Sequence, residues 1–331
     1  MPALTLLVVV IHGFKAAAPW PATGTQWPGL MAEEVLAADS REGLGVLTVD
    51  WEEGAAASIW SALDYDPPAA NTRYVGVATE RVVALLGGSA LSVHCMGHSL
   101  GAHTCSFLSN AMEQDLGKKL ERLTAMDPAG PQFTTDGPGS PSPFATTPAG
   151  ERLEASDAVL VDVIHTDSDH LGTTVPLGHV DFYVGKSANK FGSDQAGCTL
   201  PTCDHSRSWE LVRASLREPE SCWGSVQCTG PDGAHSLGGC GQVTTRPQLG
   251  YFYQRSEANE GIFGVELTLT EDPFCFRCVD EHECDWGELC DFSIPAHQCV
   301  LDPSQSSTAT SITTNPAQEN CSSKLFHLQL S

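Results

Sequence analysis

Residues 97–101 read Gly-His-Ser-Leu-Gly, directly behind the apolar run Ala90–Cys95 and at the head of the helix-patterned stretch Gly101–Met112. A GxSxG pentapeptide in that setting constrains a chain strongly. The reversal from strand to helix is so tight that only glycine tolerates the close backbone approach beside it. The bend lifts the Ser99 hydroxyl clear of the sheet and aims a helix N-terminus, with its unpaired amides, at any negative charge that develops there. The bland alternative is a helix-capping serine in a Gly-rich turn. The strand-turn-helix context favours a nucleophile.

The surrounding pattern agrees with that bend. Strand candidates Leu4–Ile11, Val46–Val49, Ala90–Cys95 and Leu123–Met126 alternate with helical stretches Trp27–Ala38, Ala69–Leu86 and Gly101–Met112. Apolar strands separated by helices predict a parallel sheet covered on both faces, an α/β architecture. Asp136–Gly150 is rich in Gly, Pro and Ser and reads as a loop. Ala158–Ile164 is a further strand, and Gly250–Tyr253 and Gly264–Thr270 read as late ones. Met1–Ile11 is apolar but has no positive flank and no small-residue cleavage site before His12, so it reads as a buried strand rather than an export signal. No apolar run reaches the roughly 18 residues that a membrane span needs.

A serine becomes a useful nucleophile only when a histidine takes its proton and an acid orients that histidine. In this class of fold the chain order is Ser, acid, His. Asp127 ends the strand that follows the nucleophile helix and is the first candidate acid; Asp167, after the next strand, is its rival. His165, His170, His179, His205 and His235 all lie downstream, and spacing does not choose among them. A second oxyanion donor belongs in the loop after an early strand. That places the backbone amides of Phe14, in His12-Gly13-Phe14, and of Leu100 around the reacting carbon.

Charge and cysteine content narrow the setting. With 17 Lys and Arg against 41 Asp and Glu, the net charge of -24 repels nucleic acid and anionic surfaces, so contact with lipid has to be apolar. Of thirteen cysteines, nine fall at or after Cys222, which points to disulfides and an oxidising, extracellular compartment. Zinc is the competing reading, but only Cys275 and Cys278 have CxxC spacing. The total is odd, and Cys95 and Cys105, flanking a buried motif, read as free thiols. The chain divides into residues 1–270, a cysteine-rich disulfide module at 271–302, and a Ser/Thr-rich tail at 303–331 that reads as disordered and carries the sequon Asn320-Cys321-Ser322. Since no signal peptide is visible in this sequence, the expectation is that it begins downstream of the true start.

The blocks VVVIHGF (8–14), VLTVDW (46–51), GHSLGAH (97–103), MDPAGP (126–131), ERLEASDAVLVDVIHTD (151–167), GHVDFY (178–183), AGC (196–198) and CDHSRS (203–208) together resemble the animal pancreatic-type lipases, including the related phospholipases A1. The resemblance implies an α/β-hydrolase fold, the triad Ser99, Asp127 and His205, and Phe14 and Leu100 as oxyanion donors. It implies a lid held between Cys198 and Cys203, here reduced to Thr199-Leu200-Pro201-Thr202, a stub of the kind phospholipases A1 carry. No colipase is expected, because the cysteine module stands where the family has a β-sandwich. No cofactor is required, although a calcium ion on the carbonyls of Ala149 and Arg152 and the carboxylates of Glu154 and Asp157 is implied as a structural option. The substrate expected is a glycerolipid at a membrane, micelle or droplet surface. The alternatives are a triacylglycerol preference, a yolk-type relative that binds lipid without catalysis, and a truncated product that does not fold.

Overall fold

The computed structural model describes residues 3–16, 18, 26–56, 65–134, 151–185, 191–195, 197–217, 225–228, 249–256, 260–265, 288–291, 298–301 and 325–329. They fall into two units, Met1–Leu267 with Lys324–Ser331, and Thr268–Ser323. In the first unit the chain runs β1 (Leu6–Ile11), α1 (Trp27–Ala38), β2 (Leu44–Asp50), α2 (Glu52–Ala55), α3 (Asp66–Leu86), β3 (Ser92–His98), α4 (Leu100–Leu116), β4 (Leu120–Met126), β5 (Ala158–His165), β6 (Val180–Val184), α5 (Pro201–Arg217), β7 (Ser225–Cys228) and β8 (Gly261–Val265). In the second unit, β9 (Glu288–Asp291) and β10 (Gln298–Leu301) pair as an antiparallel hairpin. The chain then returns to the first unit as β11 (Leu325–Gln329).

The main sheet has the order β11-β2-β1-β3-β4-β5-β6-β8-β7. Every pairing in it is parallel except β7 against β8. Its central strands are buried because both faces are covered: all six residues of β1, which are apolar throughout, and all seven of β2 are buried. Helix starts follow their local chemistry. α1 and α3 each open with proline in the first turn, where the missing amide costs nothing. α4 stops at Gly117, which takes the left-handed conformation. The strand order reverses between β1 and β3, since β2 lies on one side of β1 and all later strands up to β8 lie on the other. Ligands of open α/β sheets bind at such a switch point, beyond the carboxyl ends of the strands.

Four expectations change. Gly250–Tyr253 is a turn, closed by the Tyr253 amide on the Gly250 carbonyl at 3.2 Å. The Arg122 guanidinium bonds the Gly250 and Tyr251 carbonyls, so these oxygens have a partner without a sheet ladder. The last expected strand starts earlier, at Gly261, and residues 266–270 lie outside the described residues. Part of the tail is ordered: Leu325–Gln329 pairs with β2 and covers the edge of the sheet. Cys95 and Cys105 are not free thiols but a disulfide, with their Cα atoms 5.8 Å apart. The turn at Ser99 folds α4 back along β3, which brings two residues ten positions apart into bridging range. The expected loop at 136–150 lies outside the described residues.

Replacing both Cys95 and Cys105 by alanine is expected to lower the free energy of unfolding by about 2–3 kcal/mol, the typical value for a bridge closing a short loop. Urea denaturation measures it. Recovery of either cysteine as an alkylatable thiol in the unreduced native protein would contradict the assignment.

Candidate active site

Ser99 sits between β3 and α4 with φ 56° and ψ -121°. A side-chain residue held in that region costs about 1–3 kcal/mol and persists only where its neighbours dictate it. They do so by contact. A Cβ on Gly97 would lie 2.3 Å from the Gly101 carbonyl oxygen, one on Gly101 would lie 2.3 Å from the Ile11 carbonyl oxygen, and one on Gly13 would lie 2.6 Å from the Ser99 Cβ. The Ser99 amide donates to the Met126 carbonyl at 3.0 Å, which ties the bend to the end of β4.

The loop after β1 is held from the side by Trp51. The Trp51 indole donates to the His12 carbonyl at 2.8 Å, and the Trp51 amide donates to His12 Nε2 at 3.1 Å. Nε2 is therefore an acceptor, and the ring carries its proton on Nδ1, which donates to the Gly13 carbonyl at 3.0 Å. Phe14 follows on this fixed loop, its ring edge-on to Tyr65. Leu100 is the first residue of α4, where helix amides have no carbonyl within the helix to bond.

Asp127, at the end of β4, is fully buried and also has a positive φ, 44°. Its Oδ1 accepts the amides of Thr166 at 2.8 Å and Asp167 at 3.2 Å. Its Oδ2 accepts Nδ1–H of His205 at 2.5 Å. That bond leaves His205 Nε2 as the nitrogen able to take a proton. His205 is not in a loop ahead of a helix, as its polar surroundings suggested; it lies in the first turns of α5, which begins at Pro201. The structure thus brings Asp127 and His205 together, and the Ser99 amide is bonded to Met126, the residue before Asp127.

The other candidates are engaged elsewhere. His165 is buried between the Thr173 carbonyl and Asp181 Oδ1 and stacks on Tyr183. His179 accepts the Val161 amide through Nδ1. His170 bonds Asp167, and His235 lies outside the described residues. Asp167 takes the Leu171 amide and His170 rather than His205. It is still close: one donor atom from each of Asp127, Asp167 and His205 lies within 4.8 Å of the others. Burial first, and the Asp127 charge second, push its pKa up to about 6.

His98 is a residue whose importance the motif conceals. Its Nε2–H donates to the His205 carbonyl at 3.1 Å, and the two rings are 4.5 Å apart. Burial and the charge of His205 push its pKa well down, so it stays neutral and can hold α5 without competing for the proton. Trp27 closes its far side, edge-on to His98 and stacked on Trp209.

Cys198 and Cys203 form a disulfide, and the stub between them carries the exposed Leu200. At the calcium positions, Ala149 lies outside the described residues and the Arg152 carbonyl accepts Ser106 Oγ. The carboxylates of Glu154 and Asp157 cap their own turn, each accepting the other's amide. Calcium needs about six oxygens directed at one point; among the described residues these two carboxylates are directed at backbone amides instead.

A doubly covered parallel sheet with a strained serine between strand and helix at its switch point defines an α/β-hydrolase. The family model for lipases matches residues 3–271, and the chain belongs to the lipase family. It is 33% identical over 258 residues to lipase member H of Mus musculus, covering 73% of this chain and 50% of that protein. It is 33% identical over 215 residues to phospholipase A1 member A of Bos taurus, covering 63% of this chain and 41% of that protein. The chain thus spans half or less of the length of these curated relatives.

The raised pKa of Asp167 has a measurable consequence. The folded state keeps this proton up to about pH 6, whereas an unfolded chain releases it near 3.9. Between those values the folded state binds more protons, so the residue's contribution to stability falls as pH rises through the window. Asp167→Asn removes that fall. Urea titrations are expected to show the variant gaining on the wild type between pH 4 and pH 6, and a constant difference across that range would refute the assignment.

Proposed function

We propose that this protein is an extracellular lipase that hydrolyses acyl ester bonds of glycerolipids at a lipid surface, with a phospholipase A1-like preference. The observation that carries this reading is the 2.5 Å bond from His205 Nδ1 to Asp127 Oδ2, set beside a strained Ser99. In the proposed cycle His205 Nε2 takes the Ser99 hydroxyl proton as Oγ attacks the acyl carbonyl. The carbonyl oxygen becomes an oxyanion, stabilised by the Phe14 and Leu100 amides. Collapse breaks the bond to the glycerol oxygen, which leaves with the proton from His205. Water, deprotonated by the same nitrogen, then releases the fatty acid and restores Ser99. Asp127 keeps the imidazole in the tautomer this requires and stabilises the imidazolium. The chemistry needs no cofactor.

Two features support the phospholipid preference. The loop between Cys198 and Cys203 has four residues, too few to roof an apolar acyl site. One relative reported above is named a phospholipase A1. The cysteine content supports an extracellular setting.

Ser99→Ala is expected to abolish fluorophosphonate labelling and to lower ester hydrolysis by about a millionfold, with an unchanged melt. Side-by-side assays on phosphatidylcholine and a long-chain triglyceride should show predominant release of the sn-1 acid from the phospholipid. Faster triglyceride cleavage would overturn the preference, and labelling that survives Ser99→Ala would overturn the nucleophile.

A further inference from the structure

We infer that Gln195 is a positioning residue for the His205–Asp127 pair, an inference that rests on the hydrolase reading above. Behind that pair the hydrogen bonds close into a ring. Asp127 Oδ1 accepts the Thr166 amide at 2.8 Å. The Thr166 carbonyl accepts Gln195 Nε2 at 2.9 Å. The Gln195 amide donates to Asp204 Oδ1 at 2.8 Å. Asp204 precedes His205 on α5, and His205 Nδ1 returns to Asp127. One buried side chain therefore links the strand exit that holds the acid to the helix turn that holds the base.

The geometry is specific to a carboxamide. Gln195 is 3% exposed, and its Nε2 donates to a second carbonyl, that of Val184, at 2.7 Å. The side chain thus bridges the exits of β5 and β6. Among the described residues its Oε1 has no partner, and the two carbonyls set its orientation: with nitrogen and oxygen exchanged, an acceptor would face two acceptors. The chain leaves room for this contact, since a Cβ on Gly185 would lie 2.4 Å from Gln195 Nε2. Without this side chain, α5 would keep its helical form but lose a link that registers His205 against Asp127. Displacing a catalytic group by about 1 Å costs roughly 100-fold in rate. Gln195 touches no reacting atom, so its effect should appear in kcat and not in KM.

The test uses the full chain and a soluble short-chain ester, with active sites counted by fluorophosphonate titration and folding checked by thermal melts. Gln195→Ala is expected to lower kcat per titrated site by roughly 10- to 100-fold while KM stays within about twofold. Gln195→Glu, which points oxygens at two carbonyls, should do no better. Asp204→Ala should reproduce the loss, and Asp204→Asn, which keeps an acceptor oxygen for the Gln195 amide, should restore most of it. If Gln195→Ala does not fold, the Asp204 pair carries the same comparison. Wild-type kcat per folded site in Gln195→Ala, or equal losses in Asp204→Ala and Asp204→Asn, would overturn the inference. Low-field proton spectra separate its failure from failure of the hydrolase reading. Should the wild type hydrolyse no ester, the His205 Nδ1 proton still reports the ring: its loss or shift in Gln195→Ala supports the positioning role, and an unchanged signal overturns it.

Discussion

Three backbone segments meet at Ser99 more closely than side chains permit. The Ile11 carbonyl oxygen occupies the place of a Cβ on Gly101, the Gly101 carbonyl oxygen that of a Cβ on Gly97, and Ser99 itself that of a Cβ on Gly13. These contacts place the loop after β1, the end of β3 and the start of α4 in one arrangement, and the bond from the Ser99 amide to Met126 adds the end of β4. Everything else at the site is registered against that junction. Asp127 follows Met126, the amides of Thr166 and Asp167 hold Asp127, and His205 bonds Asp127. The strain at Ser99 persists because the apolar strands beneath it, buried on both faces, leave the junction no room to relax.

Protonation at the site is divided by environment. Asp127 and Asp167, forty positions apart in the chain, are neighbours in the fold. Asp127 accepts two amides and an imidazole N–H; Asp167, buried beside it, holds its proton up to about pH 6. The histidines divide likewise. His98 is kept neutral by burial and serves as a donor to the His205 carbonyl, and His12 Nε2 faces both the Trp51 amide at 3.1 Å and Asp50 Oδ1 at 3.3 Å. His205 bonds a carboxylate through Nδ1, which leaves Nε2 as the nitrogen to take a proton.

The legible part of this arrangement is the part that local chemistry dictates. Ser99 stands out because only glycines can flank such a bend, and Asp127 because a strand of apolar residues stops there. His205 could not be chosen from the residues alone: its partner is 78 positions away, and their meeting is a tertiary fact. The Cys95–Cys105 bridge was missed for the same reason that Ser99 was found. A bend sharp enough to expose the serine also returns the helix along the strand. β6 is five residues with Asp181 second, a buried acid that the His165 ring and the Leu177 and Gly178 amides satisfy. Gly250–Tyr253 looked like a strand because its aromatic residues suit one, but a guanidinium took the carbonyls that a ladder would need.

The stub between Cys198 and Cys203 follows the same logic. A segment that gates a site has to swing, so its ends must tolerate motion. Here the Leu200 carbonyl accepts the amides of both Cys203 and Asp204, and the Cys198 amide bonds the Gln195 carbonyl. The stub is thereby built into the N-terminal turn of α5, on the residues next to His205. Movement of such a segment would disturb the imidazole rather than uncover it. Such a stub is a brace on the residues next to His205 rather than a hinged segment.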